Sequence, residues 1–235
     1  MIMAVQPPAY FASVKECAKL LTAEVVVEAE SFRFSRKESI HRAAIRTRTG
    51  VHWLSVPVLS RGKPGARIDE LEIDPRQPWG DLHLRTLEYT YHNAAWYYFY
   101  SDAVSGIIRG AGSSLATLLR ATGRFAVRSL QATATCFSST ELPAVADRTG
   151  RVLAWAAACG CNCYLVWPFE VALLDRARLR DAGITLLQLE FGAAPYHQQM
   201  PDFQPGLSIL DLLFNEGPAA ADHIRKSVEY RVVDT

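Results

Sequence analysis

Trp79, His83, Leu87 and Tyr91 recur every fourth residue, which keeps their side chains near one stripe of a helix. Histidine titrates nearest neutrality, so His83 could serve as general base for an amine or hydroxyl nucleophile. In a structural stripe the same ring would be a core histidine satisfied by a backbone carbonyl. Glu88 and His92, four apart, should touch on one helix face, either as a base and its orienting carboxylate or as a solvent-facing ion pair. Tyr196-His197-Gln198 follows Pro195 at the end of an expected strand, where α/β sheets place ligand loops. Tyr196 and Gln198 offer a hydroxyl and a carboxamide for sugar hydroxyls or an acyl oxygen, or anchor the loop. Asp211 interrupts the apolar run Ile209–Phe214, so it is either buried with a partner or facing a cleft. Arg42 is the expected partner.

Other groupings carry weaker signals. Cys159, Cys161 and Cys163 resemble a metal cluster, and on a strand their alternation would point all three thiols one way. No second pair of ligands accompanies them, so core cysteines at a helix–strand junction are the better reading. Cys136 or Cys163 could be a nucleophile, but no sequence context supports either. Arg109-Gly110-Ala111-Gly112-Ser113-Ser114 lacks the lysine and preceding strand of a phosphate loop, and reads as a helix break or a lid hinge. The aromatic stretch from Tyr89 to Tyr100 could line an acyl cleft or stack on a sugar, or simply fill the core.

These residues need a scaffold. Ser13–Leu21 reads as an amphipathic helix and Val25–Val27 as a buried strand. Gly50 turns the alternating Ile40–Arg48 segment into a strand, Val51–Val58, ended by proline. Ile68–Ile73 alternates as another strand would. Helices are expected around Leu82–Trp96, over Tyr97–Ile108, over Leu115–Leu119 with Ser114 as cap, and near Phe125–Leu130. The last third alternates: helix Gly150–Cys159, strand Tyr164–Trp167, helix Val171–Ala182 ended by Gly183, strand Ile184–Phe191. A helix Ser208–Phe214 capped by Ser208 and another from Pro218 close the chain. The predicted fold is α/β, with mixed α+β as the alternative: a single domain over 1–235 with a mixed sheet. It is β-rich over 1–75, helical over 79–131 as cover or lid, and αβαβ plus C-terminal helices over 144–228.

Composition narrows the classes. In 235 residues, 25 Lys+Arg balance 24 Asp+Glu, leaving a formal charge of +1 that argues against a dedicated nucleic-acid binder. The first residues carry no basic segment and no long apolar run, so no signal peptide is expected. No stretch approaches the roughly 18 apolar residues of a spanning helix. Five cysteines, an odd count clustered in part, do not form a secreted disulfide framework. A cytoplasmic protein without membrane insertion is expected.

The segment from Tyr196 to Gly217 fills every position of Y-x-Q-x(4)-F-x-P-x-L-S-[IV]-[IL]-D-L-L-F-N-x-G, and with it the chain resembles the WbqC-like protein family. Gln6-Pro7 with Tyr10-Phe11, the strand Leu54-Ser55-Val56-Pro57-Val58, and Trp79/His83/Leu87/Tyr91 with Ala94 and Tyr97 resemble further landmarks in order. Tyr164-Leu165 and Gly183-Ile184 match its weaker later ones. The chain departs from the family's D-D-x-Q-F and N-R segments, having Glu30-Ser31-Phe32-Arg33-Phe34 and His41-Arg42. The resemblance implies a bacterial biosynthetic protein of polysaccharide or natural-product pathways.

The combined expectation is a metal-independent, cofactor-free transferase moving an acyl or aminoacyl group onto the amine of a small molecule. His83 would be the base, with Tyr196 and Gln198 holding the acceptor or oxyanion. Gln6, Arg42, Tyr91, Asp211 and Asn215 would support them or bind substrate. The alternatives are cyclisation or condensation of an aminoacyl thioester on an acyl or peptidyl carrier protein, and a non-catalytic pathway subunit. A carrier protein, being acidic, would want the basic residues Arg33, Arg36, Lys37, Arg42, Arg46 and Arg48 beside the pocket mouth.

Overall fold

A computed structural model describes residues 1–233. In chain order its elements are β1 (Ile2–Gln6), α1 (Val14–Thr22), β2 (Val25–Glu28), β3 (Arg42–Thr47), β4 (Gly50–Ser55), α2 (Trp79–Tyr91), α3 (Tyr97–Arg109), α4 (Leu115–Ser129), β5 (Thr135–Ser138), α5 (Arg148–Ala158), β6 (Cys163–Val166), α6 (Pro168–Val171), α7 (Arg176–Asp181), β7 (Thr185–Phe191), α8 (Ile209–Glu216), α9 (Ala220–Lys226) and β8 (Val228–Val232). Six strands form a mixed sheet in the order β5-β2-β1-β6-β7-β8, parallel except for β8. The β3–β4 pair is a separate antiparallel hairpin.

The runs Met3-Ala4-Val5 and Val25-Val26-Val27 are apolar throughout because both faces of the sheet are covered. Alternate residues divide between two cores. Ala4, Val26, Leu165, Leu187 and Leu189 face one that includes α1, the hairpin, α2, α3, α4, α8 and α9. Met3, Val5, Val25, Val27, Tyr164, Val166 and Leu186 face the other, where Val152, Trp155 and Ala156 of α5 and Leu179 of α7 pack. The expected α/β class with a mixed sheet and a helical middle is the observed one. The hairpin and α2–α4 form one long excursion between β2 and β5, which are neighbours in the sheet.

Several local expectations are corrected. Ile68–Ile73 is not a strand: Ile68–Glu70 is a 3-10 turn, and Ile68, Leu71 and Ile73 are buried around it. Residues 115–129 form one continuous helix, with Ser114 Oγ accepting from Thr117 N at 3.3 Å. The expected helix over 171–182 is two helices, because Asp175 caps a fresh start by accepting from Arg178 N at 3.1 Å. Ser208 sits at the head of α8 but makes no capping hydrogen bond, and its buried hydroxyl has no hydrogen-bond partner among the described residues. Strands β1, β5 and β8 were not foreseen.

Candidate active site

Helix α2 buries His83, Leu87 and Tyr91 on the four-residue stripe. His83 is 3% exposed, and Trp79 stands edge-on to its ring at 5.3 Å. The Tyr10 hydroxyl lies 3.0 Å from its Nδ1. Burial holds the Tyr10 hydroxyl well above its ordinary pKa, so it faces the ring as a neutral hydroxyl. Burial also pushes the His83 pKa down to about 4, against the pull of a hydrogen bond with the Ser55 backbone. His83 is therefore neutral at pH 7.

His83 forms part of the wall of a cleft of about 680 Å³ between α2 and the β3–β4 hairpin. Trp53, Leu82 and Tyr89 give the cleft apolar surface, and His52, Asn93 and Gln199 give it polar groups. His52 was missed by the sequence reading. Its signal was nonetheless present: in Val51–Val56 it alternates onto the same side as the buried Leu54 and Val56, an unusual place for a polar ring. It lies close enough to His83 that charge on His52 disfavours charge on His83.

Tyr196 and Gln198 do not line this cleft; they converge on Asp211. Tyr91 donates to Asp211 Oδ1 at 2.6 Å, while Tyr196 and Gln198 donate to Oδ2 at 2.7 and 3.1 Å. Burial raises the Asp211 pKa, and these three donors oppose the rise. The Gln198 carboxamide also closes a loop, donating to Gln204 O at 3.0 Å and accepting from Gln204 N at 2.9 Å. Gln199, the next residue, bridges to the end of α2, its nitrogen 3.3 Å from Thr90 O and its oxygen 2.7 Å from Ala94 N. The network thus ties α8 and the 198–204 loop to the helix that carries His83.

The supporting residues divide. Tyr91 belongs to the network, and Asn215 joins it by donating to the Asp211 carbonyl at 2.7 Å. Gln6 ends β1 opposite Glu28, with a buried side-chain oxygen that has no hydrogen-bond partner among the described residues. Arg42 is not the partner of Asp211: it donates to Lys37 O at 3.3 Å and lies over the Trp53 ring at 4.5 Å. The long side chain on β3 turns outward to cover an exposed tryptophan, and hydroxyls supply what Asp211 needs. Nor do the Glu88 and His92 side chains pair, since His92 Nδ1 sits 3.1 Å from the Glu88 backbone carbonyl.

The three clustered cysteines do not share a strand, because Cys159 ends α5 and only Cys163 lies on β6. Among the described residues no three His, Cys, Asp or Glu side chains are grouped to hold a metal. Cys136 is exposed, with its thiol pushed up to about 11 mainly by desolvation. The glycine-rich break after α3 is tied down, Ile73 N donating to Ser113 O at 2.7 Å and Leu115 N to Leu71 O at 3.0 Å. Of the aromatic stretch, Tyr91, Tyr97 and Tyr100 are buried and Tyr89, Tyr98 and Phe99 exposed.

The model of the WbqC-like protein family matches residues 8–223, which include both the cleft and the Asp211 network. The chain belongs to this family. It is also similar to Uncharacterized protein Rv1507c of Mycobacterium tuberculosis (strain ATCC 25618 / H37Rv), 27% identical over 198 residues, covering 83% of this chain and 85% of that protein. No solved structure matches it. In this WbqC-like chain the closing motif lays out one network: its Tyr, Gln and Asp are Tyr196, Gln198 and Asp211. Among the described residues no helix is long and apolar enough to cross a membrane.

Proposed function

We propose that this WbqC-like protein is a biosynthetic enzyme that transfers an acyl or aminoacyl group onto the amine of a small molecule, an amino sugar or similar, within the cleft between α2 and the hairpin. The carrying observation is a cleft of about 680 Å³ with an apolar wall and three histidines, His83 neutral and buried and His52 and His92 exposed. Such a combination of apolar surface and a few convergent polar groups suits a small ligand. His52 is the proton acceptor in this reading. His83, held between Tyr10 and Ser55, shapes the floor and orients the acceptor.

The amine attacks the acyl carbonyl, and as the C–N bond forms its proton passes to the His52 imidazole. The thiol or alcohol leaving group departs as the C–S or C–O bond breaks, and takes that proton back. Tyr196, Gln198 and Asp211 act by positioning, through the loop that carries Gln199 into the cleft. A thioester on a carrier protein is a second form of donor. Arg48 lines the cleft and Arg42 covers Trp53 at its wall, which would give an acidic carrier a basic landing site.

The test is a panel of free and carrier-bound acyl thioesters with amino sugars, followed by mass spectrometry for a new amide. Amide formation lost in His52→Ala supports the reading, and no amide from any pair counts against it. If R42E/R48E slows only carrier-bound donors, the carrier form holds; equal slowing of free donors rejects it.

A further inference from the structure

A second cavity, of about 630 Å³, opens where α4 lies over the carboxyl ends of β2 and β5, and it shares no lining residue with the histidine cleft. Carboxyl ends of parallel strands are where open α/β sheets take ligands. Val26 pairs with Cys136 and Glu28 with Ser138, so Glu28, Cys136 and Ser138 share the sheet face that α4 covers. From α4, Arg120, Arg124 and Arg128 stand at four-residue spacing along the cavity.

The polar groups there are unevenly satisfied. Arg120 donates to Glu30 Oε2 at 3.0 Å, and Ser138 Oγ reaches the same oxygen at 3.1 Å. Glu30 is fully buried, yet its Oε1 has no hydrogen-bond partner among the described residues. The guanidinium groups of Arg124 and Arg128 make no ion pair or hydrogen bond among the described residues. Glu28 lines the cavity, its carboxyl without a hydrogen-bond partner among the described residues and pressed against α4 at Gly123, where a Cβ would come within 2.6 Å of Glu28 Oε1. A glycine in mid-helix costs about 1 kcal/mol relative to alanine, and here it makes room for that carboxyl. Burial beside Glu30 pushes the Glu28 pKa up to about 7, against the pull of Arg120 and Arg124.

Two unpaired guanidinium groups in a concave site suit a phosphate, whose oxygens match their planar forks. Free carboxylate oxygens beside them suit the hydroxyl or amine hydrogens of the attached group. We propose that this cavity binds a phosphorylated small molecule, its phosphate on Arg124 and Arg128 and its polar hydrogens on Glu28. The site stands apart from the acyl-transfer reading and is testable without it.

The experiment titrates the full chain with glucose 1-phosphate and, separately, with inorganic phosphate by calorimetry. Wild-type protein should bind glucose 1-phosphate saturably and more tightly than inorganic phosphate. R124A/R128A, with fold checked by circular dichroism, should weaken it by about tenfold or more. Cys136, an exposed cysteine lining the cavity, locates the event. Glucose 1-phosphate should slow its alkylation by iodoacetamide in the wild type and not in R124A/R128A. Absence of saturable binding, equal binding by R124A/R128A, or unaltered Cys136 alkylation overturns the proposal.

Discussion

At the scale of single residues, burial divides the work among the polar side chains. His83 is neutral because the folded chain removes its ring from water, whereas Asp211 is accommodated because two tyrosines and a glutamine donate to it. The pH consequence for His83 has a definite sign. Its folded pKa of about 4 lies below the ordinary 6.5, so the unfolded chain binds the proton more readily. Its contribution to stability is present above pH 6.5 and is lost as pH falls toward 4, on the order of 3 kcal/mol in all. Proton NMR of the imidazole C2–H should show His83 unshifted down to pH 5. Titration near pH 6.5 would place the ring in solvent and contradict the geometry.

At the scale of elements, the hairpin, α2 and α8 are locked by their ends. Gly217 ends α8 at φ +55°, and a Cβ there would fall 2.3 Å from the Trp96 ring. Trp96 also donates its backbone N–H to Phe214 O at 2.9 Å, so the α2–α3 corner rests on the end of α8. Gly217→Ala should cost about 3 kcal/mol, from backbone strain together with overpacking, read as a lower urea midpoint. An unchanged midpoint would mean that the corner is not seated there. Much of this layer was legible in the sequence: the α2 stripe, the turn at Gly50 and the cap at Ser114 all follow from local pattern. The misreadings share a physical cause. Ile68–Ile73 alternates like a strand, yet it buries its apolar side chains around a 3-10 turn. The β5 sequence Thr-Cys-Phe-Ser gave no strong apolar pattern because it is an edge strand with two exposed residues. Asp211 was recognised as buried or cleft-facing, but its partners lie 120, 15 and 13 residues away. Local spacing could not choose hydroxyls over Arg42.

At the scale of the molecule, the sheet is a platform, and in the proposed reading the excursion between β2 and β5 is its working part. The two cores use opposite faces of the same strands, so the sheet fixes where the excursion starts and ends. The histidine cleft is built mainly from that excursion, with Gln199 and Met200 completing its lining, and the Asp211 network ties it to the C-terminal helices. Under the proposed acyl-transfer reading, the WbqC-like closing motif is a positioning device and proton transfer belongs to the cleft. The most direct test compares His52→Ala with Tyr196→Phe, following amide formation and thermal midpoint side by side. The account predicts that His52→Ala abolishes amide formation with the midpoint unchanged. Tyr196→Phe, which removes one hydrogen bond to a buried carboxylate, should lower stability by about 1.5–3 kcal/mol and keep turnover once folded. Full turnover in His52→Ala, or a folded Tyr196→Phe protein with none, would contradict it.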